Sequence, residues 1–237
     1  MPEGFDRAME ALTRNDGRGV DLAQPFVDVL PVQGASVATL GTLLGTETVS
    51  ATDDQAARID ELQFDLGEGP CWDAMLAASP VFEPDIRNSP ARVWPAFSEA
   101  IKSEDIGAIF AFPLVVGPLH LGAVDLYCST PQGLSAVDTQ RSEALTAVVS
   151  RLVLRRALAA LDQPESLDPG NPFFRRTLHQ ATGMVLAQLN VPPDDARLVI
   201  QAHAFASGRS VQEVAEDVLA RRLDFSVSDG STGGPKT

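Results

Sequence analysis

The clearest structural signal in this chain is the stretch 108-AIFAFPLVVGPLHLGAVDLYC-128. Two apolar runs, 108–116 and 120–128, are separated by a Gly-Pro pair at 117–118 that favours a turn. Each run has the length of a β-strand, and a connection this short makes two strands antiparallel neighbours. The sequence therefore predicts an apolar antiparallel hairpin within 108–128.

Shorter segments on the N-terminal side of this hairpin predict the rest of a mixed fold. Residues 35–44 and 47–51 are predicted as two strands joined at Gly45-Thr46, and 81–83 as a short strand. Periodicity and caps predict helices over 21–30, 53–62, 70–78 and 91–103. Strands interrupted by helices, with hairpins at both ends, indicate an α+β fold in which helices cover an antiparallel sheet.

Residues 135–160 are predicted to form one long helix. Ser135 and Asp138 resemble a capping box at its start. Two interpretations of its apolar stripe remain open, namely packing on the chain's own sheet and a helical interface in a homodimer. The stripe consists of Leu145, Val148, Val149, Leu152 and Val153.

Three short amphipathic helices are predicted at the C-terminal end of the chain. Leu178, Ala181 and Val185 recur with helical spacing, Gly208 is a typical helix end, and Ser210 begins a further capping box. The predicted domains are an N-terminal arm that is mobile or weakly helical, a mixed domain, a linker, a three-helix domain and a disordered tail. Their bounds are 1–20, 21–161, 162–170, 171–225 and 226–237.

Composition and charge exclude several classes of protein. The chain has 237 residues and a net charge of −14, but residues 1–164 carry 23 acids and 11 bases, and residues 165–237 carry 9 acids and 7 bases. The net charge is therefore −12 in the first part and −2 in the second, so the C-terminal part is not strongly anionic. No secretory or membrane-spanning run is evident, and two cysteines without zinc spacing predict neither a disulfide framework nor a metal site. We expect a cytoplasmic protein that needs no cofactor.

The C-terminal segment resembles the ANTAR domain, a three-helix RNA-binding module of bacterial antitermination regulators. The resemblance rests on HQATGMV at 179–185, Asp195-Ala196, AHAFA at 202–206, Gly208-Arg209 and Val214-Ala215. It implies that paired RNA hairpins in nascent transcripts are bound, so that a terminator does not form. Much of the family has lysine where this chain has Thr182. The implied RNA-binding residues are Arg175, Arg176, His179, Gln180, Thr182, Arg197, His203 and Arg209.

The N-terminal part resembles a GAF domain, of the type that precedes ANTAR domains in actinobacterial regulators. The resemblance rests on LGEGPC at 66–71, VFEPD at 81–85, WPAF at 94–97, GAIFAFPL at 107–114 and LGAVDLY at 121–127. It implies a sensor fold with a pocket for a small-molecule or redox signal on one face of the sheet. The candidate ligand-binding residues are Cys71, Trp72, Asp85, Trp94, Phe110 and Phe112.

The two resemblances together predict a signal-responsive RNA-binding regulator that is not an enzyme. One alternative is a ligand or redox sensor whose helical domain contacts another protein. A second alternative is a methionine sulfoxide reductase of the GAF type, which would need Cys71 and Cys128 close together. In that case the start of a helix at Cys71 would lower the pKa of its thiol.

Overall fold

The structure is a computed structural model that describes residues 2–14, 21–41, 43–88, 93–162 and 176–226. The chain divides into two compact units, residues 1–174 and 175–237, called here the N-terminal and C-terminal units. The predicted linker after Asp162 and the predicted tail after Ser226 lie outside the described residues.

Five antiparallel strands form one sheet in the N-terminal unit, in the order β2-β1-β5-β4-β3. The predicted hairpin is confirmed, with Gly117 in the left-handed conformation at its turn (φ 59°). The first strand ends at Thr39, before the predicted position 44. The strands are β1 Gly34–Thr39, β2 Glu47–Ala51, β3 Val81–Glu83, β4 Ala108–Val116 and β5 Leu119–Cys128.

Six α-helices are described in the same unit: α1 Pro2–Arg14, α2 Gln24–Val29, α3 Asp54–Leu66, α4 Pro70–Ala77, α5 Pro95–Ala100 and α6 Ala136–Asp162. Helix α3 begins as predicted, because the Asp53 carboxylate accepts the N–H of Ala56 at 2.7 Å. The helix predicted over 91–103 differs, since α5 begins only at Pro95 and Val93 is exposed. Trp94 is buried instead.

The sheet separates two hydrophobic layers because alternate strand residues point to opposite faces. On one face, called here the α6 face, Phe110, Phe112 and Val124 pack with α1, α2 and α6. On the other, called the α3 face, Ile109 and Ala123 pack with α3, α4 and α5. Any side chain of the sheet is therefore placed on one of two layers that the backbone keeps apart.

Residues 2–14 differ from the mobile or weakly helical arm suggested by the sequence. They form helix α1, and Ala8 and Leu12 are buried in the α6-face layer. The Arg141 guanidinium lies 5.9 Å from the centre of the Phe5 ring. The apolar residues of this helix lie on one face, although charged residues separate them in the sequence.

The apolar stripe of α6 packs on the chain's own sheet. Leu145 and Val149 are fully buried, and Leu152 and Val153 are 3% exposed, within the α6-face layer. This burial supports the first interpretation of the stripe and leaves these side chains unavailable to a second chain. The predicted cap is present, because Ser135 Oγ accepts the N–H of Asp138 at 3.1 Å.

The C-terminal unit consists, in its described part, of α7 Arg176–Leu189, α8 Pro193–Ser207 and α9 Val211–Leu219. Its core contains Leu178, Ala181, Val185, Ile200 and Val218. As predicted, Gly208 ends α8 in the left-handed conformation, and Ser210 forms a complete capping box with Glu213. The predicted α+β architecture, a sheet with flanking helices, a long helix and three C-terminal helices, is confirmed.

Candidate nucleic-acid interface and sensor core

Two adjacent candidates for RNA contact lie on the exposed side of α7. His179 and Gln180 are both exposed, while their neighbours Leu178 and Ala181 are buried in the bundle core. Thr182 is half-buried, and its Oγ1 donates to the Leu178 carbonyl at 2.8 Å. The imidazole and the amide are therefore exposed polar groups of this helix segment, and His179 also has an interaction partner within the structure. The threonine hydroxyl bonds to its own backbone.

Arg209 is held by one carboxylate and one backbone carbonyl within the bundle. Its Nη2 lies 2.7 Å from Asp217 Oδ2 and donates to the Glu213 carbonyl at 3.3 Å. Arg222 Nε lies 2.6 Å from the other oxygen of Asp217. The hydrogen bonds from Arg209 and Arg222 lower the pKa of the Asp217 carboxyl. An anion that binds Arg209 therefore competes with a carboxylate already in place.

The remaining RNA candidates are less accessible or lie outside the described residues. His203 is half-buried and packs edge-on against Phe225, with ring centres 5.4 Å apart. Arg197 is half-buried and has an interaction partner within the structure. Arg175 lies outside the described residues, and Arg176 begins α7 but its side chain is outside them.

An apolar pair on α8 is a surface feature that the sequence analysis missed. Leu198 is 61% exposed and Phe205 is 75% exposed. They are seven residues apart and therefore share a helix face, away from the buried residues Ala196, Ile200 and Ala204. The sequence signal that could have predicted this pair was its seven-residue spacing, which places both side chains on the side of α8 away from its buried residues.

The six candidate ligand-binding residues do not form one site. Cys71 and half-buried Trp72 lie in the α3-face layer with α4, and Trp94 packs there against Phe97, with its Nε1 donating to Asp73 at 3.0 Å. Phe110 and Phe112 lie on the α6 face. The Asp85 carboxylate accepts from Asn88 at 2.8 Å and is half-buried. The sheet itself separates the two groups.

A buried polar network lies on the α3 face. The Gln63 side chain donates through Nε2 to Asp125 and accepts the backbone N–H of Cys71 at 2.8 Å through Oε1. Asp60, fully buried, accepts hydroxyl hydrogen bonds from Ser36 at 2.7 Å and Thr48 at 2.8 Å. Burial, reinforced by the negative charge of Asp60, raises the pKa of Asp125 to about 8.

The two cysteines are buried and lie on opposite faces of the sheet. Burial raises the pKa of the Cys71 thiol well above its usual value, with further contributions from Asp125 and Asp60. The expectation that the start of α4 lowers this pKa is therefore wrong. Cys128 belongs to the α6-face layer, where burial also raises its pKa. The proximity of Cys71 and Cys128 that the reductase alternative requires is not present.

The C-terminal helices are similar to one known family of protein domains. Residues 174–219 match the ANTAR domain. This ANTAR segment comprises α7, α8 and α9 and includes all the accessible RNA candidates described above. No curated protein sequence matches the chain.

Several solved structures are similar to part of the chain. The GAF domain of Acinetobacter phosphoenolpyruvate-protein phosphotransferase is 12% identical, with 68% of this chain and 94% of that chain covered and a TM-score of 0.48. The chromophore-binding domain of an R. palustris bacteriophytochrome is 13% identical, with 69% and 63% covered and a TM-score of 0.48. The type II free methionine-R-sulfoxide reductase of Thermoplasma acidophilum is 16% identical, with 52% and 79% covered and a TM-score of 0.39. At these identities, nothing that those proteins bind or catalyse carries over to this chain.

None of the described helices is both long and apolar enough to cross a bilayer. Within the same residues, no group of three or more histidine, cysteine or acidic side chains is arranged to hold a metal ion.

Proposed function

We propose that this chain is a signal-responsive regulator that binds hairpins in nascent RNA and prevents transcription termination. The observation that carries the proposal is the match of residues 174–219 to the ANTAR domain, in a segment that folds as three packed helices. RNA that is held by the protein cannot at the same time pair into a terminator. In this proposal the protein acts in the cytoplasm by shifting the equilibrium between RNA structures, and no catalytic step is needed.

The recognition surface in this proposal is centred on His179 and Gln180 of α7. Proteins read single-stranded loops of RNA by stacking and by hydrogen bonds to base edges. An exposed imidazole next to an exposed amide offers both contacts. The contribution of Arg209 is reduced, because it is paired with Asp217, and the ANTAR segment lies in the nearly neutral part of the chain.

Fluorescence anisotropy of the full chain with a two-hairpin RNA tests the proposal. We expect the double variant His179→Ala/Gln180→Ala to lose about tenfold or more in affinity, since base-edge contacts are worth about 1–3 kcal/mol each. The matched control is Gln212→Ala/Glu216→Gln, which removes an exposed polar pair from α9. Equal affinity for an unrelated RNA, or equal loss in the control, would contradict the assignment.

The proposed homodimer would place two ANTAR segments beside the two hairpins of one transcript. Two linked contacts raise the overall affinity without any new interaction. Light scattering of the full chain with and without two-hairpin RNA measures this assembly, and a complex of one chain per two-hairpin RNA would contradict it.

A second candidate function, in which the ANTAR segment contacts a protein, is favoured by Leu198 and Phe205. Large exposed apolar side chains on one helix face are typical of interaction sites. Crosslinking in the host cell separates the two functions with the variant Leu198→Ser/Phe205→Ser. Loss of a crosslinked protein, with no RNA crosslinked to either form, would favour the protein contact over RNA.

A further inference from the structure

The exposed apolar side chains of α8 form one continuous line, called here the α8 stripe. Leu198 and Phe205 are 61% and 75% exposed, and Ala202 between them is also exposed. Steps of four and then three residues keep these side chains on one side of the helix, opposite the buried residues Ala196 and Ile200. The same spacing of apolar residues forms the contact line between paired helices. The α8 stripe therefore has the pattern of a helix–helix contact that still lacks its second helix.

The two ends of the α8 stripe carry opposite charges. Asp194 and Asp195 lie in the first turn of α8, are exposed, and form no ion pair within the described part of the chain. At the other end, Arg209 and Arg222 share the single carboxylate of Asp217, at 2.7 and 2.6 Å, so these three groups keep one net positive charge. An acidic start and a basic end make the stripe complementary to a second stripe that runs in the opposite direction.

We propose that α8 of a second copy of this chain docks antiparallel on the α8 stripe when two copies occupy neighbouring hairpins of one RNA. Leu198 of each copy then packs against Phe205 of the other. The small side chain of Ala202 lies between these two contacts and allows the helices to approach to about 8–10 Å. RNA fits the stripe less well than a second copy does, because Asp194 and Asp195 repel its phosphates.

The contact is too small to hold two copies together by itself. Two large side chains and one alanine from each copy cover far less than the roughly 800 Å² per partner of a stable interface. An RNA that carries two copies side by side raises their local concentration, so that a weak contact strengthens the binding of the pair. The effect of the α8 contact therefore rests on the proposed RNA function, while the contact itself can be measured without RNA.

Fluorescence anisotropy of the full chain with one-hairpin and two-hairpin RNAs tests the effect. We expect Leu198→Ser/Phe205→Ser to weaken binding to the two-hairpin RNA about tenfold and to leave the affinity for the one-hairpin RNA unchanged. Leu76→Ser is the matched control, since it removes a 71% exposed side chain from α4, and it should change neither affinity. Equal weakening on both RNAs would make the stripe an RNA contact, and unchanged binding to both would exclude the α8 contact. Either result overturns the proposal.

Disulfide crosslinking of the full chain at high protein concentration tests the contact without RNA. The antiparallel arrangement brings position 202 of the two copies together, so we expect Ala202→Cys to form a crosslinked dimer on oxidation. Asp195→Cys should not, because its two copies would lie about 20 Å apart along the paired helices, beyond the reach of a disulfide. The natural cysteines, Cys71 and Cys128, are buried and do not compete.

Dimers from both cysteine variants, or from neither, would overturn the antiparallel arrangement. In the Ala202→Cys chain, addition of Leu198→Ser/Phe205→Ser should abolish the crosslink, and a crosslink that persists would also contradict the proposal. Failure of the wild-type chain to bind either RNA would contradict the proposed function, whereas the crosslink at position 202 reports on α8 alone.

Discussion

The side-chain amide of Gln63 joins helix α3 to Asp125 of strand β5 by a hydrogen bond from its Nε2. Both residues are buried, and the other end of the same amide accepts the N–H of Cys71 at the start of α4. One side chain therefore connects three elements of the α3 face. Its removal leaves a carboxyl group and a backbone N–H without their partners inside the protein.

Gln63→Ala should destabilise the N-terminal unit by about 2–4 kcal/mol, because each buried polar group left without a partner costs about 1–3 kcal/mol. Urea unfolding followed by tryptophan fluorescence measures this unit by itself, since the chain's two tryptophans, Trp72 and Trp94, both lie in it. Gln55→Ala is the control on the same helix, where a half-buried amide donates to Glu104 at 3.0 Å. A similar loss in both variants would contradict the special role of Gln63.

The stability of the N-terminal unit should fall as pH rises from about 4 towards 8. The pKa of Asp125 is raised from 3.8 to about 8 in the folded chain. Between these values the folded state binds more protons than the unfolded state, so unfolding becomes easier as pH rises, by at most about 1.4 kcal/mol per pH unit. Above pH 8 this contribution is constant.

Asp125→Asn should flatten that pH profile when urea unfolding is repeated across the range. Glu47→Gln is a graded comparison, because burial raises the pKa of Glu47 only from 4.5 to about 6. It should affect only the acidic end of the profile, and by less, since Glu47 is only partly buried. An Asp125→Asn profile that still falls between pH 6 and 8 would assign the effect to another group.

Neither cysteine should react with a thiol reagent such as Ellman's reagent while the chain is folded. Cys71 and Cys128 are both fully buried, and burial raises both thiol pKa values, whereas the thiolate is the reactive form. Two equivalents should react after addition of urea. Rapid labelling of Cys71 in the native protein, or turnover of free methionine sulfoxide that Cys71→Ser abolishes, would instead support the reductase alternative.

Leu145→Asp should unfold the N-terminal unit without acting on a subunit contact. Leu145 is fully buried against the sheet, and an unpaired charge there should cost more than about 3 kcal/mol. Leu158→Asp on the same helix should have little effect on stability, because Leu158 is 54% exposed. Circular dichroism and light scattering distinguish the outcomes. A folded, monomeric Leu145→Asp chain that replaced a wild-type dimer would restore the two-chain interpretation of the stripe.

The hairpin of β4 and β5, the end of α8 and the start of α9 were predictable because their signals are local. Gly117, Gly208 and the pair Ser210 and Glu213 determine backbone geometry within a few residues of themselves. The separation of Cys71 from Phe110, which the sequence analysis had grouped in one ligand site, was not predictable in the same way. Which layer a side chain enters depends on strand pairing over long sequence distances, and the two residues lie on opposite faces.

The RNA-binding candidates show the same difference between local and long-range signals. The exposure of His179 and Gln180 follows from the periodicity of α7. The pairing of Arg209 with Asp217 depends on how α9 returns past the end of α8, which the spacing of the residues does not reveal. The exposed pair Leu198 and Phe205 was not predicted, because the sequence analysis named no buried stripe for α8 from which their offset could be read.

The position of Leu12 also constrains how the chain folds during synthesis. This residue is synthesised long before Leu152 of α6, yet it is fully buried in the same layer. Contacts between residues so far apart in sequence slow folding, because a long loop has to close first. Helix α1 can contact α2 early, but its packing on α6 forms only after nearly the whole N-terminal unit has been translated. The core of this unit is completed at about the moment when the ANTAR segment begins to be made.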